Sequence, residues 1–329
     1  MISAIAWVAL FGLVATGVAA VFARRHWTLD LLTHFRLHYA LVGVALVALF
    51  LSQHEIAGAI LSVAIASWQG LIWRGNEPAP VRSIAEGKPS IRVLAANLQW
   101  SNGRRVRAIE ILRSATADIL VLAEPRQDWL SHIERLEAEY PYRSNARWPD
   151  ASGPTILSRL PILQTRTYHP LVESIAHQKY GLSLEQTRLA AGFSFEEAVV
   201  ALSGRVSITL LGIHAPSPGD GPRSAMRNDY FERLASHCAG IEGPLLVAGD
   251  FNVTPWSPFY RDFIRTTGLL NATRGRLATW PAWLGPLGIP IDHALRRGAI
   301  SLVRIAPGPP LGSDHRSIEF SVTLAAGPS

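Results

Sequence analysis

The sequence predicts a mixed α/β domain with long β-sheets, preceded by three transmembrane helices. Three uncharged apolar runs lie within the first 74 residues, and a stretch rich in proline, glycine and charge follows them. From position 91 onward, short apolar runs alternate with segments of helical periodicity, which is typical of mixed α/β folds. We therefore predict a membrane domain at 1–74, a linker at 75–90 and a folded C-terminal domain at 91–329.

The composition agrees with a membrane-attached globular protein. Of the 329 residues, 48% are hydrophobic, so part of the apolar sequence is expected to lie outside a water-soluble core. The net charge of +6 is spread along the chain and does not by itself indicate nucleic-acid binding. Cys238 is the only cysteine, which excludes an intramolecular disulfide and a cysteine-based zinc site.

The apolar runs at 2–23, 37–52 and 56–73 are predicted to span a membrane. As helices, they approach or exceed the length needed to cross a hydrocarbon core of about 30 Å. The second and third runs are separated by only three residues, which favours a helical hairpin. A cleaved signal peptide is the alternative for the first run, but no basic segment precedes it. Buried core helices are the alternative for the hairpin, whose faces are almost all apolar.

Positive charge predicts the orientation of these helices. With three spans, the loop between the first and second spans and the segment after the third span lie on the same side of the membrane. The basic residues in these two regions are Arg24, Arg25, Arg36, Arg74, Arg82, Lys88 and Arg92. The positive-inside rule places that side, and with it the C-terminal domain, in the cytoplasm.

The C-terminal domain contains six short apolar runs expected to form buried strands, at 91–96, 119–123, 155–157, 206–213, 245–248 and 317–322. Helical patterns are expected at 104–115, 127–139 and 223–239. The runs at 188–195 and 198–202 flank Glu196 and Glu197, and this pattern predicts a hairpin with the two glutamates at its turn.

The stretch LLVAGDFNVTP at 245–255 is the centre of the predicted functional region. It combines a buried strand with Asp250 and Asn252, which lie two residues apart and therefore point the same way in an extended backbone. A carboxylate beside a carboxamide is suited to holding a water, a metal ion and a phosphate oxygen together. An Asx-rich turn after a strand is the structural alternative.

Polar residues able to bind a metal also follow the other apolar runs. They are Asn97, Glu124, His214, Asp292 with His293, and Asp314 with His315. Each one alone has a structural explanation, such as capping a turn or lying solvated at a strand end. With the Asp250 and Asn252 pair, six such positions in order indicate an active site assembled from strand ends.

The motifs resemble those of the endonuclease/exonuclease/phosphatase superfamily. They are NLQW at 97–100, DILVLAEP at 118–125, ILSRLPI at 156–162, GIHAPSP at 212–218, GDFN at 249–252, IDH at 291–293 and SDHR at 313–316. One departure is Ala123, where the family often has glutamine before the glutamate. The resemblance implies a four-layer sandwich, in which two packed mixed β-sheets are flanked by helices. The N-terminal spans resemble those of bacterial membrane members, which implies an inner-membrane location.

The resemblance also implies a role for each candidate residue. Glu124 matches the principal Mg²⁺ ligand, with Asn97 and Asp314 beside it, and Mn²⁺ is expected to substitute. His315 matches the general base and Asp292 the carboxylate that orients it. Asp250 and Asn252 match the pair that orients nucleophile and phosphate, and His214 matches a phosphate-binding histidine. Whether Asp250 or His315 takes the proton from water stays open, and His293 receives no role.

These roles imply metal-dependent hydrolysis of a phosphodiester or phosphomonoester, with a nuclease-like activity. The expected partners are a phosphoester substrate (nucleic acid, lipid headgroup or small phosphate ester) and a lipid bilayer, and no protein partner is implied. A lipid phosphodiesterase of sphingomyelinase type is the alternative within enzymes, because the spans place the site near headgroups. An inactive membrane-tethered binding module on the same fold is the alternative from another class.

Overall fold

The computed structural model describes residues 2–75, 90–144, 153–171, 179–183, 192–203, 206–272 and 277–324. Within these ranges the chain forms two compact units. The first unit consists of residues 2–75 together with Thr254–Arg261, and the second unit consists of the remaining described residues. The predicted linker at 75–90 lies almost wholly outside the described residues, so it stays a prediction.

The first unit contains three stretches of helix that are long and apolar enough to cross a membrane: Ile2–Phe22, Trp27–Ser52 and Ile56–Arg74. Their helices are α1 (Ile2–Ala19), α2 (Trp27–Leu31), α3 (Arg36–Ser52) and α4 (Ile56–Arg74), with 3-10 turns at Ala20–Phe22 and Leu32–Phe35. The second stretch begins about ten residues before the predicted position, because α2 and the following 3-10 turn precede α3.

In helix α1, some apolar side chains are buried and others are exposed. Leu10 and Leu13 are buried against the other helices, whereas Val8 and Phe11 are 72% and 64% exposed. Helices α3 and α4 approach closely at Gly43, where an added Cβ would lie 2.8 Å from the Cβ of Ala66. Small residues at helix contacts and large apolar residues on the outside are typical of helices packed within lipid.

The second unit contains two six-stranded sheets. The strands are β1 (Ser90–Asn97), β2 (Ile119–Ala123), β3 (Tyr142–Arg143), β4 (Thr155–Ser158), β5 (Ile162–Tyr168), β6 (Phe195–Ser203), β7 (Val206–His214), β8 (Leu245–Asp250), β9 (Leu270–Asn271), β10 (Asp292–Arg297), β11 (Ile300–Pro307) and β12 (Ile318–Leu324). The first sheet has the order β11-β12-β1-β2-β4-β3 and the second has the order β5-β6-β7-β8-β10-β9. Both are mixed, since β1 and β2 are parallel, as are β7 and β8, among antiparallel neighbours.

The sheets pack face to face, and helices cover their outer faces. Val121 of the first sheet and Leu246 of the second lie in one buried cluster between the sheets. Helix α5 (Arg105–Ser114) and the short α6 (Leu130–Ile133) pack on the first sheet, while α7 (Gly221–Ala239) and α8 (Pro258–Thr267) follow strands of the second. This architecture confirms the predicted fold of two packed mixed sheets with helices.

The helical stretch predicted at 127–139 is wrong in its extent and type, since the helical residues end at Leu136 and do not form one α-helix. The structure has a 3-10 turn at Gln127–Trp129, the four-residue α6, and a second 3-10 turn at Glu134–Leu136. The buried residues Trp129, Ile133 and Leu136 keep helical spacing, which explains the prediction. Hydrogen bonds between residues three apart, such as Glu137 N–H to the Glu134 carbonyl, replace the α-helical pattern at the ends.

The predicted hairpin turn at Glu196 and Glu197 is also wrong, because both residues lie inside the continuous strand β6. Glu196 pairs with Gly212 and Glu197 with Leu211 of β7. The side chains alternate across the sheet, so that Glu196 is fully buried and Glu197 reaches His237 at 2.7 Å. The structure thus accommodates both charges within a strand, which the residue pattern alone does not indicate.

Glu196 makes the stability of this unit depend on pH. Burial raises the pKa of its carboxyl group from 4.5 to about 7, and the hydroxyl groups of Thr167 and Ser144 offset only part of that effect. The folded protein therefore holds this proton more tightly than the unfolded chain does. The contribution of this proton to the free energy of unfolding is complete below the unfolded pKa and is lost as pH rises through the folded pKa. The loss amounts to about 3 kcal/mol at alkaline pH.

We expect Glu196→Gln to raise the thermal unfolding midpoint of the full-length protein at pH 8 and to change it little at pH 5. The neutral amide removes the cost of a buried carboxylate only where the wild type is ionised. Glu197→Gln is the matched control on the same strand, and it should lower stability because it removes the charge opposite His237. An equal change at both pH values for Glu196→Gln would contradict this explanation.

Candidate active site

Three candidate residues lie in one row across the second sheet. His214 at the end of β7 pairs with Asp250 at the end of the parallel strand β8, and Asp292 at the start of the antiparallel strand β10 pairs with the same Asp250. Because these strand ends share one edge, the sheet brings together residues that are 36 and 42 positions apart in sequence.

Asn97 and Glu124 come from the parallel strands β1 and β2 of the first sheet. Asn97 pairs with Ala123, so Glu124 directly follows the paired strand. The Asn97 amide donates hydrogen bonds to Glu124 Oε1 and to Asp250 Oδ2, both at 3.0 Å. This amide therefore joins a carboxylate of the first sheet to a carboxylate of the second.

The two histidines complete the cluster. His315 Nδ1 lies 2.9 Å from Asp292 Oδ2, which is the hydrogen bond that the sequence predicts, and its Nε2 lies 3.7 Å from Asp250 Oδ2. His214 Nε2 lies 3.6 Å from Glu124 Oε1 and 3.8 Å from Asp250 Oδ2. Asp250 Oδ2 is thus the atom around which both imidazole rings and the Asn97 amide converge.

Asn252 is held in place by hydrogen bonds to its neighbours. Its backbone N–H donates to Asp250 Oδ1 at 2.8 Å, and its side-chain amide donates to the Ala215 carbonyl at 2.9 Å. The same amide group lies 3.3 Å from Asp250 Oδ2. These contacts leave the Asn252 amide oxygen as an acceptor beside the cluster.

The backbone around the cluster is locally strained. Glu124 and Asn252 have φ angles of 57° and 50°, in the left-handed region that non-glycine residues seldom adopt. Gly249 has a φ of 139°, and a Cβ there would lie 2.1 Å from the Ile213 carbonyl oxygen. Strain of this kind is often found where function fixes a side chain's direction, and here it affects two of the candidate residues.

Asp314 makes hydrogen bonds to residues outside the cluster. Its Oδ2 accepts a hydrogen bond from the Trp280 indole at 3.1 Å, and its backbone N–H donates to Gln99 Oε1 at 3.0 Å. The sequence did not single out Gln99. Only the tertiary structure brings Trp280 to Asp314, 34 positions along the chain.

His293, to which the sequence assigned no role, lies buried behind the site. Its Nε2 lies 2.9 Å from the Val253 carbonyl oxygen, and its ring packs against Phe251. Burial lowers the pKa of His293 to about 4, so the ring is neutral at physiological pH. It supports the loop after β8.

Exposed tryptophans lie next to two of the candidate residues. Trp100 is 51% exposed, its backbone N–H donates to Glu124 Oε2 at 2.9 Å, and the Arg126 guanidinium lies 5.2 Å from its ring centre. Trp283 is 80% exposed and follows Ala282, whose N–H donates to the Asp314 carbonyl. Each could contact a substrate that extends beyond the cluster.

Charge coupling shifts the pKa values within the cluster. Burial raises the pKa of Asp250 to about 6, although the charge of His315 opposes this. Burial lowers the pKa of His315, but Asp292 and Asp250 outweigh it and raise the value to about 10. For Glu124, burial acts upward, yet His214, the Trp100 amide and other neighbours hold the pKa below its usual value. An imidazolium between carboxylates is therefore the favoured form at neutral pH.

The donor set suits a hard divalent cation. One oxygen each of Asp250 and Asp292 and a ring nitrogen of His315 lie within 4.8 Å of one another, and this group could hold a cation only with the His315 ring neutral. Glu124 adds a carboxylate held by Asn97. Oxygen-rich sites without thiolate ligands favour Mg²⁺ or Mn²⁺ over softer metals.

Comparisons with solved structures agree with this fold. One is an endonuclease/exonuclease/phosphatase from Beutenbergia cavernae DSM 12333, with a TM-score of 0.53 and 16% identity over 73% of this chain and 72% of that chain. Another is a humanized D. rerio TDP2, with a TM-score of 0.54 and 14% identity over 71% and 99%. A third is sphingomyelinase C from Streptomyces griseocarneus, with a TM-score of 0.50 and 18% identity over 71% and 99%.

The sequence comparison gives the family itself. No curated protein matches the chain. The family model described as "Endonuclease/Exonuclease/phosphatase family" matches residues 94–315, which is more than half of the chain and contains all eight candidate residues. The chain therefore belongs to the endonuclease/exonuclease/phosphatase family.

Proposed function

We propose that this protein is a metal-dependent phosphoesterase that hydrolyses a phosphodiester or a phosphomonoester. The observation that carries the proposal is the convergence on Asp250 Oδ2 of the Asn97 amide and the rings of His214 and His315. Family membership supports the reaction class, because such members typically act on phosphoesters with a metal ion. Buried charged groups are costly to remove from water, so a cluster of this composition is poorly explained by a purely structural role.

In this proposal Glu124, Asn97 and Asp314 hold the cation. When bound, Mg²⁺ or Mn²⁺ would polarise the phosphoryl group and stabilise the charge that develops in the transition state. Asn97 also holds the Glu124 carboxylate in place through its amide hydrogen bond.

We propose that Asp250 is the general base that takes the proton from the attacking water. The sequence left Asp250 and His315 as the two candidates. The raised pKa of Asp250 makes it a better base than an ordinary aspartate, while it is still ionised at neutral pH. His315, charged beside Asp292, is then suited to stabilising negative charge on the phosphoryl oxygens. His214 binds the phosphate and Asn252 orients it.

The nuclease-like function has one alternative that a separate observation supports. Trp283 and Leu287 are exposed in the 3-10 turn at Ala282–Leu287, beside Asp314. Aromatic and aliphatic side chains at a site rim suit an interfacial substrate, and the apolar spans would keep the protein at a membrane. A lipid phosphodiesterase is therefore the second candidate.

The test is a substrate panel with the full-length protein in detergent, at saturating Mg²⁺. It contains plasmid DNA, abasic duplex DNA, inositol phosphates, sphingomyelin and lysophospholipid. Cleavage of the DNA substrates supports the nuclease-like function, and cleavage of the lipids supports the second candidate. Absence of hydrolysis on the whole panel, with metal bound, would favour the binding-module alternative.

We also propose that the protein is a multi-pass protein of a bacterial inner membrane, with the second unit in the cytoplasm. The proposal rests on the three apolar helical stretches and on the arginine-rich segments that flank them. A reporter enzyme fused after Ser329 is expected to be active only in the cytoplasm. Activity only in the periplasm would reverse the orientation and leave the anchoring intact.

A further inference from the structure

The segment Thr254–Arg261 connects the candidate site to the N-terminal unit through the chain itself. It begins two residues after Asn252, yet it belongs to the first unit, with the apolar helices. The chain leaves the second unit after Val253 and returns at Asp262. The path of the backbone that carries Asp250 and Asn252 is therefore fixed on one side by residues of the first unit.

His34 holds the beginning of this segment. Its Nδ1 accepts a hydrogen bond from the Thr254 backbone N–H at 3.2 Å and lies 2.9 Å from Thr254 Oγ1. Since a backbone N–H can only donate, Nδ1 carries no proton, and the Thr254 hydroxyl donates to it as well. His34 is 3% exposed and Thr254 is fully buried, so water does not compete for these bonds.

Asp30 holds the segment three residues later. The Ser257 hydroxyl donates to Asp30 Oδ1 at 2.7 Å, and both side chains are buried. Ser257 Oγ also accepts from the Phe259 N–H at 3.3 Å, which caps the start of α8. In addition, the Trp256 indole N–H lies 3.4 Å from the Trp73 carbonyl oxygen. A helix cap and a buried charge-assisted hydrogen bond thus meet at one serine.

Short chain distance makes these contacts relevant to the site. Two residues of extended chain span at most about 7 Å, so fixing Thr254 restricts where Asn252 can lie. Asn252 has a left-handed backbone, a conformation that persists only when its surroundings determine it. Reacting groups displaced by about 1 Å can lose up to roughly a hundredfold in rate.

We propose that Asp30 and His34 are positioning residues for the candidate site. By holding Ser257 and Thr254, they fix the exit of the loop that carries Asp250 and Asn252. The N-terminal helices then serve the reaction as well as attaching the protein to a membrane. The catalytic part of this inference rests on the proposed function, whereas its structural part does not.

The structural part is tested by hydrogen–deuterium exchange on the full-length protein in detergent. We expect Ser257→Ala and Thr254→Val to speed amide exchange in residues 249–257 by about tenfold, because each removes a buried hydrogen bond that limits local opening. Ser62→Ala is the matched control, since Ser62 is a fully buried serine of α4 whose hydroxyl has no hydrogen-bond partner among the described residues. Exchange in Ser257→Ala equal to that in Ser62→Ala would overturn the proposal.

The catalytic part is tested with the substrate that the panel identifies. We expect Ser257→Ala and Asp30→Ala to lower kcat by roughly tenfold with KM within about twofold, since alignment rather than binding is affected. Asp30→Asn keeps an oxygen that accepts from Ser257 and should restore most of the rate. Equal losses in Asp30→Asn and Asp30→Ala, or a change in KM alone, would contradict positioning. If the wild type hydrolyses nothing, the exchange experiment still decides the structural part.

Discussion

Replacing Glu124 with glutamine should lower the rate of phosphoester hydrolysis by at least about a hundredfold. The substitution keeps the shape of the side chain and the contact with Asn97, but it removes the negative charge that the cation needs. It also removes the charge opposite His214, which lies 3.6 Å from the carboxylate. The measurement is kcat/KM at several Mg²⁺ concentrations, together with the apparent affinity for Mg²⁺.

Glu137→Gln is the matched control for this prediction. Glu137 forms an exposed ion pair with Arg143, and exposed pairs contribute little to stability or function. Its replacement should leave both the rate and the Mg²⁺ dependence unchanged. Full wild-type activity in the presence of EDTA would show that the reaction needs no metal, and would refute the proposed role of Glu124.

Replacing Asp292 with asparagine should lower the rate by about a hundredfold or more, because the amide can still contact the His315 ring but supplies no negative charge to hold that ring in its charged form. The same substitution should change the pH dependence. Asp292 raises the pKa of His315, so its loss lowers that pKa. If the charged ring is required, the decline in rate at high pH should begin at lower pH in Asp292→Asn than in the wild type.

The direction of this shift does not depend on a nearby cation, because the charge of Asp292 acts on His315 in the same sense with or without one. Glu197→Gln is the control, since it removes the carboxylate from another close carboxylate–histidine pair, with His237, outside the site. Its rate and pH profile should match the wild type. An unchanged high-pH limb in Asp292→Asn would show that His315 does not act in its charged form, and would return it to the role of neutral base.

The pattern of apolar residues was sufficient to predict the buried strands of the second unit. Strand β2 lies where the apolar run ends before Glu124, and β8 extends the run at 245–248 by only two residues. Buried strands leave short continuous apolar runs, because both faces of such a strand contact protein. The polar residues that follow these runs were identifiable because six such positions recur in order, although each one alone has a structural explanation.

The side-chain environments were not predictable in this way. Glu196 looks like a turn residue in sequence, and only the pairing of β6 with β7 shows that it is buried within a sheet. Asp314 looked equivalent to the other carboxylates, but its contact with Trp280 depends on how two distant loops pack. The pKa of His315 depends on two carboxylates from different strands, and the sequence anticipated only one of them.

Three features could be predicted from the sequence alone: the membrane-type helices, the alternation of strands and helices, and the residues that form the candidate site. Each of these follows from local periodicity or from residue type at the end of an apolar run. Two further features are visible only in the folded protein: Asp250 is the meeting point of the cluster, and Thr254–Arg261 belongs with the N-terminal helices. Both results depend on hydrogen bonds between residues far apart in the chain, such as the 220 positions from His34 to Thr254. No local pattern encodes such contacts, because they exist only once the chain has folded.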